Sequence, residues 1–302
     1  MLLIAYIIAT PIASILIAEG ALHPMRCPLT ATEETEEIAR IDAEGATLRD
    51  LSVAARDGVL LQAWFLEPRH RNGDAVILLH GLGDNRLGIV GYADLFLAHG
   101  YSVLMPDARA HGASGGAIAT YGLLEADDIE RWFDWLTMTR SPRCVYGFGE
   151  SMGAAQLLQA LPVATGFCAV AAECPFSTFR EIAYDRMGQN FRTGPWLGRT
   201  VLRPLVEGAL LYARRKYGLA LDRVSPEEAV GASQIPVLLI HGQDDNNISI
   251  RHSRRIAASN PRVVLWEVPN ASHTNAIGAA PEQFPARLQE FFASHDRSEP
   301  GK

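Results

Sequence analysis

Apolar residues in this chain fall into short continuous runs, separated by Gly-rich polar loops and by longer stretches of helical period. Ala75–Leu79, Tyr101–Met105, Arg143–Tyr146, Phe167–Ala172, Pro236–Ile240 and Val263–Val268 read as strands, Ala75–Leu79 and Arg143–Tyr146 as buried ones. Thr47–Ala54 and Val59–Phe65, either side of Asp57-Gly58, read as a hairpin. Between the runs lie amphipathic segments. In Leu123–Thr139, Leu124, Ile129, Trp132, Phe133 and Leu136 share one side, while Asp127, Glu130 and Arg131 lie off it. A stretch ending near His99, and Ala154–Leu161, Ser249–Ser259 and Pro281–Ala293, also have helical character. Strands alternating with helices predict a mostly parallel central sheet flanked by helices. In such sheets ligands bind beyond the carboxyl ends of the strands.

The alternation breaks twice. From Pro175 to about Ile235 no strand pattern occurs; Thr178–Met187 and Trp196–Tyr217 have helical spacing, which predicts a helical cap inserted over residues 175–231. Ser225-Pro226 marks a helix start, with Ser as N-cap and Pro in the first turn. At the other break, Leu2–Ala18 is almost wholly apolar. Its length is near the lower limit for a bilayer span. The segment 1–22 reads as an uncleaved membrane anchor; the alternatives are a cleaved signal peptide, with a secreted or periplasmic product as its consequence, and a buried helix. Basic residues around it are too few to orient it. Residues 23–46, with Glu33, Glu34, Glu36 and Glu37, read as a solvated linker, and 297–302 as a polar tail. The core is then 47–174 plus 232–296.

The composition narrows the classes. With 302 residues, 48% hydrophobic and a formal charge of −7, the chain can bury a large core and has no basic patch for nucleic acid. Cys144 and Cys168 fall in apolar runs and read as buried thiols. No Cys-x-x-Cys or His-Glu-x-x-His spacing occurs, so neither a metal nor another cofactor is expected.

The chemistry centres on Gly149-Glu150-Ser151-Met152-Gly153, between a strand and a helix. A sharp strand-to-helix turn holds its middle residue exposed above the sheet edge, and glycines two positions away let the two backbones approach. A serine there is placed as a nucleophile, provided a base takes its proton and an acid orients the base. Of the nine histidines, His23 and His295 lie outside the core. His70, His99 and His252 read as surface or loop residues, and His80, His111 and His241 as loop histidines that bond to backbone. His273, in a small-residue loop after the last strand, is the candidate base. Asp244 and Asp245 follow a strand between serine and histidine in chain order; either could be the acid. The oxyanion of an acyl-transfer intermediate needs two backbone donors, for which the N–H groups of Met152 and Leu82 are the candidates.

Five ordered motifs carry a resemblance. They are His80-Gly81-x-Gly83-x-Asn85-Arg86, Asp107-x-Arg109-x-His111-Gly112-x-Ser114-x-Gly116, Gly149-Glu150-Ser151-Met152-Gly153, His241-Gly242-x-x-Asp245 and Ala271-Ser272-His273. With these, the chain resembles the α/β-hydrolases, in the broad esterase, lipase and prolyl-oligopeptidase-like group, and is similar to the membrane-anchored BEM46-like hydrolases. The resemblance implies the α/β-hydrolase fold and selects Asp245 over Asp244. It implies a Ser151–His273–Asp245 triad that cleaves a small carboxylic ester, lipid-like acyl esters among the candidates, through an acyl-enzyme. Trp196, Leu197 and Leu205 of the cap are expected to line the acyl pocket. The alternatives are a serine peptidase of the prolyl-oligopeptidase-like type and a non-catalytic, membrane-linked binding protein. Oligomeric state is not readable.

Overall fold

The computed structural model describes residues 2–190 and 193–297, so most of the expected polar tail lies outside the described residues. The expected hairpin is β1 (Ala46–Ala54) and β2 (Leu60–Pro68), antiparallel, with Leu51 opposite Ala63. The other strands are β3 (Ala75–Leu79), β4 (Ser102–Pro106), β5 (Val145–Glu150), β6 (Ala169–Glu173), β7 (Val237–Gly242) and β8 (Val263–Val268). All eight form one sheet in the order β1-β2-β4-β3-β5-β6-β7-β8. β2 meets β4 antiparallel; the strands from β4 through β3 to β8 are parallel to one another.

Alternation along each strand divides the core. Val76 and Leu78 of β3 face one side, which is covered by α2 (Ala31–Ala43), α3 (Val90–Ala98) and α12 (Gln283–Ala293), with Phe96, Phe148, Phe284 and Phe292 at its centre. Ile77 and Leu79 face the other side, under α4 (Glu125–Arg140), α5 (Ser151–Ala160), α9 (Pro226–Ala232) and α10 (Arg251–Ser259). Burial on both faces is why β3, β4, β6 and β7 read as unbroken apolar runs, while β8 at the sheet edge is half-buried. The short α11 (Ala276–Ala279) follows the loop after β8.

Among the described residues no strand lies between β6 and β7. That interval holds α6 (Phe179–Asn190), α7 (Pro195–Arg199) and α8 (Arg203–Tyr217) before α9, which starts at Ser225 as N-cap as expected. The helix expected over Trp196–Tyr217 is two helices, because the backbone leaves helical geometry at Thr200. The expected spacer 23–46 is also more ordered than its charge implies. Thr30 and Glu33 form a reciprocal capping box that starts α2, and Ile41 is fully buried against the sheet.

The N-terminal segment departs furthest from expectation. It is a helix, α1 (Leu2–Leu22), and among the described residues no helix is long and apolar enough to cross a membrane. Its second half is packed against protein: Ser14, Ala18 and Leu22 are buried, and the Ser14 hydroxyl donates to the Leu205 carbonyl of α8 at 3.0 Å. Glu19 accepts hydrogen bonds from Lys216, Tyr212 and Tyr217, which hold its carboxyl down at about 2. The stripe Ser14, Ala18 and Leu22 is therefore a packing face toward the cap and core, while Ile12, Ile15 and Leu16 of the same helix are exposed.

Cys144 and Cys168 are not the buried free thiols expected. They form a disulfide across the amino ends of β5 and β6, the adjacent strands of the elbow half of the sheet. Sequence spacing gave no signal for it, because the two cysteines meet only through strand pairing.

Candidate active site

β5 runs into α5 with a single residue, Ser151, in the left-handed region (φ 51°). A non-glycine residue there is strained, and the strain is held by packing on both sides. A Cβ on Gly149 would meet the Gly153 carbonyl carbon at 2.7 Å, and one on Gly153 would meet the Leu79 carbonyl oxygen at 2.4 Å. Both glycines are therefore required by close backbone approach. The helix sits hard against the end of β3, and the serine is lifted over the sheet edge.

His273 lies in the loop after β8. Ser151 Oγ–H donates to its Nε2 at 2.9 Å, and its Nδ1–H donates to Asp245 Oδ2 at 2.7 Å. The second carboxylate oxygen of Asp245 accepts the N–H groups of Asn247 (2.8 Å) and Ile248 (2.9 Å). Burial opposes ionisation of Asp245, but donors from His241 and His273 outweigh it and hold the carboxyl far below the usual carboxylate range. Asp244 is exposed and its side chain bonds to neither histidine, so the geometry brings Asp245 and not Asp244 to the base.

His241 and His80 act as loop struts. His241 donates from Nε2 to the Ile248 carbonyl (2.8 Å) and takes the Ser253 hydroxyl at Nδ1 (2.7 Å), fixing the loop that carries Asp245. His80 donates from Nδ1 to the Gly81 carbonyl (2.8 Å) and accepts the Ala108 N–H at Nε2 (3.0 Å). It shapes the loop that presents Leu82. His252 is not the surface residue expected: it is fully buried, between the Ser177 hydroxyl and Asp185. The Asp107–Gly116 motif is structural as well. Asp107 accepts the N–H groups of Arg86 and Ala113, and Arg109 clamps Asp128 with two hydrogen bonds of 2.7 Å.

Met152 is the second residue of α5, so its N–H is among the first-turn donors without an intrahelical acceptor. Leu82 is exposed on the facing loop; a Cβ on its neighbour Gly81 would lie 3.8 Å from the Ser151 Cβ. Leu82 and Met152 line the same cavity as Ser151.

Two carboxyls missed by the sequence reading sit beside it. Glu150 pairs in register with Glu173 across β5 and β6. Burial, and the charges of Glu173 and Asp84, push Glu150 up to about 8. Burial also raises Glu173, although it accepts the Tyr92 hydroxyl (2.8 Å) and the Ala276 N–H (3.0 Å). The signal for Glu150 was its place before the elbow serine; nothing in the sequence showed that a second acid faced it.

Ser151 and His273 open into a cavity of about 650 Å³. Its walls come from α6 (Ile182, Met187), α8 (Val206, Leu210), Phe176 and α1. The cap residues expected to line it do not. Trp196 is 68% exposed on the short α7, Leu197 is half-buried nearby, and Leu205 is buried one position away from the lining residue Val206. Helical phase decides this, because α8 turns Val206 and Leu210, not Leu205, toward the cavity.

Residues 76–287 match the alpha/beta hydrolase family. The chain is 30% identical over 230 residues to the uncharacterised protein YqkD of Bacillus subtilis, covering 74% of this chain and 72% of that protein. It is 28% identical over 231 residues to the uncharacterised protein Rv2307c of Mycobacterium tuberculosis, covering 75% and 73%. Among solved structures, the Pyrococcus furiosus esterase Pf2001 superimposes with a TM-score of 0.69 at 23% identity, over 91% of this chain and 98% of that one. The motifs, the sheet order and these matches agree: the chain belongs to the alpha/beta hydrolase family.

Proposed function

We propose that the protein is a serine hydrolase that cleaves carboxylic esters of small molecules with apolar acyl groups, through an acyl-enzyme. The observation that carries this reading is the unbroken Ser151–His273–Asp245 hydrogen-bond chain of 2.9 and 2.7 Å at the wall of a largely apolar cavity. Ser151 Oγ attacks the ester carbonyl while His273 Nε2 takes its proton, and the oxyanion forms between the N–H groups of Met152 and Leu82. The carbon–oxygen bond to the alcohol then breaks, and His273 returns the proton to the leaving alkoxide. Water, deprotonated by the same imidazole, attacks the acyl carbon; the carboxylic acid leaves and Ser151 is regenerated. Asp245, already ionised, holds the imidazole in the tautomer that accepts from serine. The Cys144–Cys168 disulfide fits an oxidising compartment.

The test is a fluorophosphonate probe together with p-nitrophenyl esters. Wild-type protein labels and turns over; Ser151→Ala loses the label, and its kcat falls roughly 10⁴-fold or more. Folded wild-type protein that neither labels nor hydrolyses any ester refutes the reading and leaves a binding protein.

A further inference from the structure

We propose that α1 is a built wall of the acyl-binding cavity, and that Ile17, Gly20 and Ala21 set the length of the straight aliphatic acyl chain the cavity accepts. This inference rests on the ester-hydrolase reading and gives the substrate's acyl class.

Leu16, Ile17, Ala18, Gly20 and Ala21 line the same cavity as Ser151 and His273. The helix that carries them is fixed on several sides. Ser14 bonds to the Leu205 carbonyl, and a Cβ on Gly208 would come within 2.4 Å of the Ser14 hydroxyl oxygen, so α1 and α8 cross at close approach. Glu19 is held by Tyr212 (2.6 Å), Lys216 (2.8 Å) and Tyr217 (2.9 Å), all of α8. At its carboxyl end the Tyr121 hydroxyl donates to the Ala21 carbonyl (2.6 Å) and the Ala119 N–H to the Leu22 carbonyl (2.9 Å). These last bonds tie α1 to the loop before α4, so the wall is anchored to core and cap together. Residues Val206, Ala209 and Leu210 of α8 line the cavity beside it.

Asp84, Glu150, Arg186, Asn190 and Asn247 also line the cavity, and its α1–α8 side is the apolar part that would take the acyl chain. The α1 and α8 residues that line the cavity are all aliphatic or glycine, and about 650 Å³ is within the range that encloses a small ligand. A surface of this kind recognises a hydrocarbon chain by burial alone. Each buried methylene then raises kcat/KM about four-fold, until the chain meets a wall.

Gly20 makes the wall testable. A Cβ built there has no protein atom within 4 Å and Gly20 is exposed where it lines the cavity, so the first atom of a larger side chain displaces nothing. Ile17 is half-buried in the wall and can be shortened. On the full chain, kcat/KM is measured for p-nitrophenyl esters from acetyl to dodecanoyl. With Gly20→Phe the preferred acyl chain becomes shorter, and kcat/KM for the wild-type optimum drops about ten-fold or more, the equivalent of two lost methylenes. With Ile17→Ala the preference moves to longer chains. Unchanged chain-length optima in both variants, each folded by circular dichroism, overturn the inference while leaving the hydrolase reading intact. A second measurement does not depend on turnover: decanoate binding to Ser151→Ala by calorimetry, with and without Gly20→Phe. Weaker binding in the double variant supports the wall. Absent binding, or equal binding in both, overturns it whatever the esterase assay returns.

Discussion

Replacing Asp245 with Asn tests whether the acid's charge and acceptor geometry act on the base. The amide matches the carboxylate in shape, so the loop can keep its two backbone bonds: one side-chain oxygen still accepts from Asn247 and Ile248. The group then facing His273 Nδ1 at 2.7 Å is an NH₂ donor in place of an acceptor. Imidazole responds by placing its proton on Nε2, the nitrogen that must take the Ser151 proton across 2.9 Å. The base is in the wrong tautomer, and the imidazolium formed during attack has no counter-charge. In serine hydrolases this combination lowers kcat by about 10⁴, which corresponds to about 5.5 kcal/mol of transition-state stabilisation. The assay is kcat on a p-nitrophenyl ester, with the melting temperature measured alongside. Asp244→Asn is the control, since Asp244 is exposed and outside the chain of bonds; its kcat stays close to wild type. A decrease of less than about ten-fold in Asp245→Asn, in protein that melts normally, would falsify the role given to the acid.

Two further perturbations test the surroundings. Glu150, pushed up to about 8 from 4.5, binds its proton more tightly when folded than when unfolded. Its contribution to stability is complete below pH 4.5 and is lost as pH rises through about 8. Glu150→Gln should therefore be stabilised relative to wild type at alkaline pH, by on the order of a few kcal/mol, and should flatten the alkaline fall in kcat that an anion near the oxyanion causes; chemical denaturation and pH–rate profiles decide, and parallel wild-type and variant curves reject the assignment. The Cys144–Cys168 bond joins positions 24 residues apart, and removing it with the double Ser variant should destabilise the fold by about 3 kcal/mol, seen as a melting temperature roughly 6 °C lower. The same shift should appear in wild-type protein after reduction; no shift in either would show that the bond does not restrain the fold.

How far the sequence reached follows from which interactions are local. β3 and β8 have the predicted boundaries because their apolar runs end at residues that leave the sheet. The elbow was legible because two glycines and a serine at fixed spacing are a local steric requirement, and the structure shows it as backbone contacts under 3 Å at both glycines. His273 followed by elimination, but only the family pattern separated Asp245 from Asp244. The difference between them is one residue of loop path, fixed by His241, whose partner Ser253 lies in the next helix. Features made by two distant segments were not legible. These are the disulfide between β5 and β6, the Glu150–Glu173 pair, the burial of His252 and the facing of α8 toward the cavity.

Residues 14–22 show that part of an apolar N-terminal run can pack against protein. An apolar helix has the same sequence signature whether its solvent is lipid or the rest of the protein. What separates the two environments is the placement of the few polar groups. In α1, Ser14, Glu19 and the carbonyls of Ala21 and Leu22 all find partners in the cap or core. Glu19 lies just beyond the apolar run Leu2–Ala18 and is met there by Lys216, Tyr212 and Tyr217. Docked on α8, the same residue is a fastening point, and the apolar side chains either side of it are free to face the cavity that Ser151 opens into.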